Sequence, residues 1–298
     1  MSLGLVLSGG GVKGAAHIGV LKALEEEKIK FDFISGTSSG SIVAALYASG
    51  YKPEEIYEIF RKYCKEIKYF DFKNIINIIK YLIKNKKILI EGLNSGEKIE
   101  KIIDNSCKKN KIKNIKEIKN NLIIPAVDVY DGTIYYFCSN GIYNKNVKEY
   151  RKISDNIKYV YDINVGKAVR ASCSFPGVFV PAKFQNTKLI DGGVRENTPW
   201  KELKNCGADK VLCVTFETYE KECKCEKNVI DIIMSSMEIM GHELANYELD
   251  GIDYLLKIKT EKISLLDLKK IDFLYNLGYQ ETKRQIKKWG CKKSPLEK

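Results

Sequence analysis

Gly36-Thr37-Ser38-Ser39-Gly40 is the stretch on which the reading of this 298-residue chain turns. It follows Phe31-Asp32-Phe33-Ile34, a short β-prone run, and precedes Ile42-Val43-Ala44-Ala45-Leu46, a small-residue helical run that lasts until Gly50. Gly-x-Ser-x-Gly between a strand and a helix is the pattern of a nucleophile elbow. The serine occupies a tight, strained turn, and Gly36 and Gly40 let strand and helix approach closely. The N–H groups opening the helix favour negative charge beside Ser38. The same residues also read as a plain capped helix, because Ser38 or Ser39 is a good N-cap.

Working outward, Leu3-Gly4-Leu5-Val6-Leu7 is a second apolar strand. It breaks into Gly9-Gly10-Gly11-Val12-Lys13-Gly14, and Ile18, Leu21 and Leu24 then recur at helical spacing. Two βα units within fifty residues predict parallel strands, with both loops at the carboxyl ends, where α/β sheets bind ligands. Gly9, Gly10 and Gly11 can turn successive N–H groups into one concavity, as an oxyanion requires. Gly9-x-Gly11-x-x-Gly14 also fits a dinucleotide fingerprint, with Asp32 as the ribose-binding acid. Against that alternative, Asp32 is followed by further strand residues, and a dinucleotide site leaves the downstream elbow unexplained. Lys13 is followed by Gly14, which excludes a phosphate loop of the Gly-Lys-Ser/Thr type.

Together with Ala171-Ser172-Cys173-Ser174-Phe175-Pro176-Gly177-Val178-Phe179 and Asp191-Gly192-Gly193, these motifs resemble the patatin-like phospholipase family, over roughly residues 3–215. The resemblance implies a Ser38–Asp191 catalytic dyad and an oxyanion loop of Gly9, Gly10 and Gly11. Lys13 would position that loop or an anionic head group. It implies a serine hydrolase of fatty acyl esters, of phospholipase A or lysophospholipase type, needing no cofactor and no metal. By residue type alone, Asp-Gly is an ordinary turn. A triad Ser38–Asp191–His242 keeps the chain order of an α/β-hydrolase. A non-catalytic lipid- or dinucleotide-binding module is the remaining alternative. On a helical wheel His242 falls beside Asp231 and Ser235, away from the apolar face of Ile230, Ile233, Met237 and Leu244.

Composition agrees with a globular enzyme, at 44% hydrophobic and 30% charged residues. No apolar run has the length of a membrane span or a signal peptide, which predicts a cytoplasmic protein. Nine cysteines, an odd number, then read as reduced thiols, and Cys223-Lys224-Cys225 has the wrong spacing for zinc. A formal charge of +12 suits either nucleic acid or an anionic membrane surface. No nucleic-acid module is legible, so the membrane surface is preferred as a peripheral partner, beside the phospholipid or other acyl ester substrate.

The predicted fold is a three-layer α/β/α sandwich with a mainly parallel central sheet, forming one domain over 1–298. A helical, lid-like or membrane-facing insertion is expected around 61–120, where Ile75, Ile76, Ile78, Ile79, Tyr81, Leu82 and Ile83 stand among lysines. A core helix is the plainer reading of that stretch. A helix is predicted from Pro53, a hairpin with a tight Asp131-Gly132 turn over 122–138, and a helix over 165–171. Strands are predicted at 187–190, 210–216 and 253–258, with helices at 229–247 and 270–289.

Overall fold

β1 (Leu3–Leu7) and β2 (Phe33–Gly36) are the two expected apolar strands, and they lie parallel, with Leu7 beside Gly36. The structure, a computed structural model, describes residues 1–66, 91–139, 156–217, 229–260, 263 and 267–290. Within β1, Leu5 and Leu7 face one core while Val6 faces the other, as the two-residue repeat of a strand requires. Both faces of the sheet are therefore covered, which is why its strands read as nearly unbroken apolar runs. α1 (Gly14–Glu26) follows β1, and α2 (Ser39–Ala48) follows β2.

Further along come α3 (Pro53–Glu66), α4 (Glu97–Lys109), β3 (Asn121–Asp128), β4 (Ile134–Cys138), β5 (Ile157–Val160) and α5 (Val165–Ser172). β6 (Ala182–Phe184), β7 (Thr187–Asp191), α6 (Trp200–Asn205), β8 (Lys210–Glu217), α7 (Val229–Glu248), β9 (Tyr254–Lys259) and α8 (Ile271–Gly290) complete the described elements. The main path of the sheet is β5-β4-β3-β2-β1-β8-β9, with β7 paired to β3 and β6. The pairs β1–β2, β1–β8, β2–β3, β4–β5 and β8–β9 are parallel; β3–β4, β3–β7 and β6–β7 are antiparallel. This is the three-layer α/β/α sandwich. One face carries α1, α2, α5 and α8 against Leu212, Val214 and Ile258; the other carries Trp200 and Leu203 of α6 against Val6, Phe33 and Cys213.

α1 and α8 cross backbone on backbone. A β-carbon on Gly19 would lie 2.0 Å from the Tyr275 carbonyl oxygen, and one on Gly278 would lie 2.0 Å from that of Ala16. Of the stretch 61–120, residues 67–90 lie outside the described residues. The remainder feeds the main core through Cys64, Ile99, Ile103, Cys107 and Ile115. The hairpin loop spans 129–133 and is longer than the tight turn expected of Asp131-Gly132, because Asp128 engages the loop with its own side chain. Its Oδ1 accepts from Tyr130 N and its Oδ2 from Thr187 Oγ1. Asp128 thus serves the sheet edge. Among the described residues no helix is long and apolar enough to cross a membrane. Cys223, Cys225 and Cys291 lie outside them; the six described cysteines are free and buried.

Candidate active site

β2 and β7 share one edge of β3, end to end. β2 pairs with residues 121–123 of β3, while β7 runs the opposite way and pairs with 126–128, with Asp191 opposite Ala126. The carboxyl ends of β2 and β7 therefore point at each other across the level of Pro125. The elbow leaves one end and Asp191 closes the other. Register alone brings together two residues 153 positions apart. Gly192 allows the close approach, since a β-carbon there would lie 2.6 Å from the Pro125 carbonyl oxygen.

The elbow is locked by its backbone. Ser38 adopts φ 52° and ψ −125°, a left-handed conformation that L side chains rarely hold. Its N–H donates to Ser172 Oγ at 3.0 Å, and its carbonyl accepts from the N–H and hydroxyl of Ser41 at 2.8 and 2.6 Å. A β-carbon on Gly36 would lie 2.3 Å from the Gly40 carbonyl oxygen, and one on Gly40 would lie 2.2 Å from that of Leu7. Both glycines are thus required by packing. Strain of this kind costs about 1–3 kcal/mol. Ser38→Gly is expected to raise stability by about 1 kcal/mol, read as a higher melting temperature. A lower value would mean that the strain is smaller than the entropy, about 0.5–1 kcal/mol, that glycine adds to the unfolded chain.

Asp191 is buried. Its Oδ1 accepts from Gly193 N at 2.9 Å, its own N–H donates to the Ser174 carbonyl at 3.1 Å, and its Oδ2 has no hydrogen-bond partner. Burial raises its pKa from 3.8 to about 7; the nearby Ser38 hydroxyl and the Gly193 N–H pull the other way. The Ser38 hydroxyl is near enough to favour the carboxylate form. Behind this aspartate, buried Arg170 donates to Ser174 Oγ and to the carbonyls of Ser95 and Val180. It ties the Ser174–Val180 corner to the loop before α4.

The glycine loop packs directly on the elbow. A β-carbon on Gly9 would lie 3.1 Å from Ser38 Cβ, and one on Gly14 would lie 2.8 Å from Ser39 Cβ. Its three amides are not equivalent in their partners. The Gly9 N–H donates to Asn197 Oδ1 at 2.8 Å, whereas those of Gly10 and Gly11 have no protein acceptor among the described residues. Gly11 takes a positive φ of 56°. The Lys13 side chain, at the end of the loop, is only 4% exposed.

His17 is fully buried behind the loop. Its Nε2 donates to the Ser8 carbonyl at 2.8 Å, and its Nδ1 has no partner. Burial lowers its pKa to about 4, so it is neutral at pH 7. The side chain of His242 lies outside the described residues. Asp32 precedes β2, where its Oδ2 accepts from Leu3 N at 2.9 Å. It stands at the opposite end of the strands from the glycine loop, so it cannot meet a ribose held there. Sequence reasoning missed Asn197 and Arg170, and it named Ser172 only within the segment 171–179 that carries the resemblance, without a role.

A family model described as patatin-like phospholipase matches residues 5–204. The chain is 30% identical to uncharacterized protein YqhO of Bacillus subtilis over 302 residues, covering 95% of this chain and 98% of that one. It is 27% identical over 213 residues to lysophospholipase NTE1 of Meyerozyma guilliermondii, covering 72% of this chain and 12% of the fungal protein. This chain thus spans a small part of the lysophospholipases it matches. Among solved structures, VipD from Legionella pneumophila superposes with a TM-score of 0.51 at 18% identity, over 95% of this chain and 66% of that one. With its strand–glycine loop–helix and strand–elbow–helix units inside the matched region, this chain belongs to the patatin-like phospholipase family.

Proposed function

We propose that this chain is a serine hydrolase of fatty acyl esters in phospholipids or lysophospholipids. The observation that carries the proposal is the buried Asp191 carboxylate, which faces the elbow with an unpartnered Oδ2 and a pKa near 7. A base works best when its pKa lies near the operating pH. The lysophospholipases among its relatives support the choice of substrate class.

In this mechanism Ser38 Oγ bonds to the acyl carbon while its proton passes to Asp191 Oδ2. The carbonyl electron pair moves onto oxygen, and the resulting oxyanion is held by the amides of Gly10 and Gly11. Collapse of the tetrahedral intermediate expels the alcohol, which takes the proton from Asp191. Water then attacks the acyl-enzyme with Asp191 again as base, releasing the fatty acid and restoring Ser38. No step calls for a metal ion or cofactor. A fluorophosphonate, which carries an electrophilic phosphorus in place of the acyl carbon, is expected to label Ser38 alone. Peptide mapping that placed the label on another residue, or found none, would remove the assignment.

The same reading extends to peripheral contact with an anionic membrane surface, supported by the formal charge of +12. Hydrolysis of anionic phospholipid vesicles is expected to exceed that of zwitterionic ones and to fall as salt rises from about 0.05 to 0.5 M, because exposed charges are then screened. Equal rates on both vesicle types at low salt would confine the interaction to the substrate molecule itself.

A further inference from the structure

Gly9 and Asn197 are 188 positions apart, and their hydrogen bond joins the glycine loop to the turn after Asp191. Asn197 does not hang free. Its N–H donates to Glu248 Oε1 at 2.9 Å, while Thr198 N and Oγ1 both donate to Glu248 Oε2, at 2.8 and 2.5 Å. Glu248 closes α7, and burial raises its pKa, so it is committed to these three donors in a site that disfavours its charge. The Trp200 indole N–H donates to the Glu248 carbonyl, which fastens the same helix end. The Asn197 oxygen identity follows from the network, since an amide nitrogen could not accept from Gly9.

We propose that Asn197 is a positioning residue for the oxyanion loop, held in turn by Glu248; the inference rests on the acyl hydrolase reading. By taking the Gly9 N–H, Asn197 Oδ1 sets the plane of the peptide before Gly9 and satisfies a donor that would otherwise compete for the acyl oxygen. Its own negative end also keeps a developing oxyanion away from Gly9. The acyl oxygen is thereby directed to Gly10 and Gly11. A β-carbon on Gly9 would lie 2.7 Å from Asn197 Oδ1, so a larger residue there would disturb this contact. Asn197 sits six residues after Asp191, so one short segment carries the base and also sets the oxyanion loop.

The test is steady-state hydrolysis of a soluble short-chain ester, with inhibition by an alkyl trifluoromethyl ketone, whose Ser38 adduct carries an oxyanion. Asn197→Ala is expected to lower kcat about a hundredfold with KM within about twofold, since small misplacements of catalytic groups cost that much. Inhibitor affinity should fall in parallel with kcat. Combining it with Gly9→Ala should cost less than the product of the single losses, because the two changes share the Gly9–Asn197 contact. Should Asn197→Ala fail to fold, Glu248→Gln, which keeps one oxygen acceptor, is expected to shift kcat and inhibitor affinity the same way by several-fold. Wild-type kcat and inhibitor affinity in the folded variants, or multiplicative losses in the double variant, would overturn the role of Asn197 while leaving the hydrolase reading intact. A wild type that neither hydrolyses the ester nor takes a fluorophosphonate at Ser38 would overturn both.

Discussion

Asp191→Asn is expected to lower turnover of a soluble ester by about three to four orders of magnitude, nearly as far as Ser38→Ala, with the fold retained. The amide preserves the shape of the side chain and an oxygen for the Gly193 N–H, so the loss reports lost basicity. If Ser38 and Asp191 form the proposed dyad they act as one unit, and the double variant should be no worse than either single one. His17→Gln should keep most of the wild-type kcat, because the buried His17 turns its Nε2 to the Ser8 carbonyl. His242→Ala decides between dyad and triad. Retained activity supports Asp191 as the sole base; a folded His242→Ala variant as inactive as Ser38→Ala would replace the dyad with a triad.

The pH dependence of activity and of stability should run in opposite directions through Asp191. As a base it must be deprotonated, so kcat/KM is expected to rise about tenfold per pH unit below 7 and level off above it. A carboxylate with an unperturbed pKa of about 3.9 would leave the rate flat down to about pH 5. For stability the sign is reversed. Asp191 binds its proton more tightly in the folded protein, with a pKa of about 7, than in the unfolded chain, at about 3.9. Between these values the native state holds the extra proton, so this contribution is fully present below about pH 4 and is lost as pH rises through 7. Asp191→Asn removes the penalty. Above pH 7 it should melt higher than wild type, by about 5 °C, with the gap closing towards pH 4.

His17 acts the other way. Its folded pKa of about 4 lies below the unfolded value near 6.5, so stability is lost on acidification through that window. The two groups oppose each other between about pH 4 and 6.5. Asp191→Asn should therefore unmask an acid lability that wild type conceals, and melting curves across this range read it directly. A variant no more stable than wild type at pH 8 would mean that Asp191 is not held at a cost.

Much of the local architecture was legible in residue order. Residue order was enough for β1, the glycine loop, α1, β2, the elbow and α2, because apolar period and glycine placement are local properties. Gly36 and Gly40 must be glycines for contacts made within five residues or with the neighbouring strand. β5, β6 and α6 were not foreseen. They are only three to six residues long, and pairing or packing with distant elements, not propensity, defines them. Other features belong to the tertiary structure alone. That Asp191 meets Ser38 follows from two strands sharing one edge of β3, a matter of register between segments far apart in the chain. That the carboxylate titrates near 7 follows from its burial, which depends on every layer packed around it. That the Gly9 amide is taken up follows from Asn197, whose hydrogen bond closes only when the glycine loop and the turn after Asp191 have been assembled.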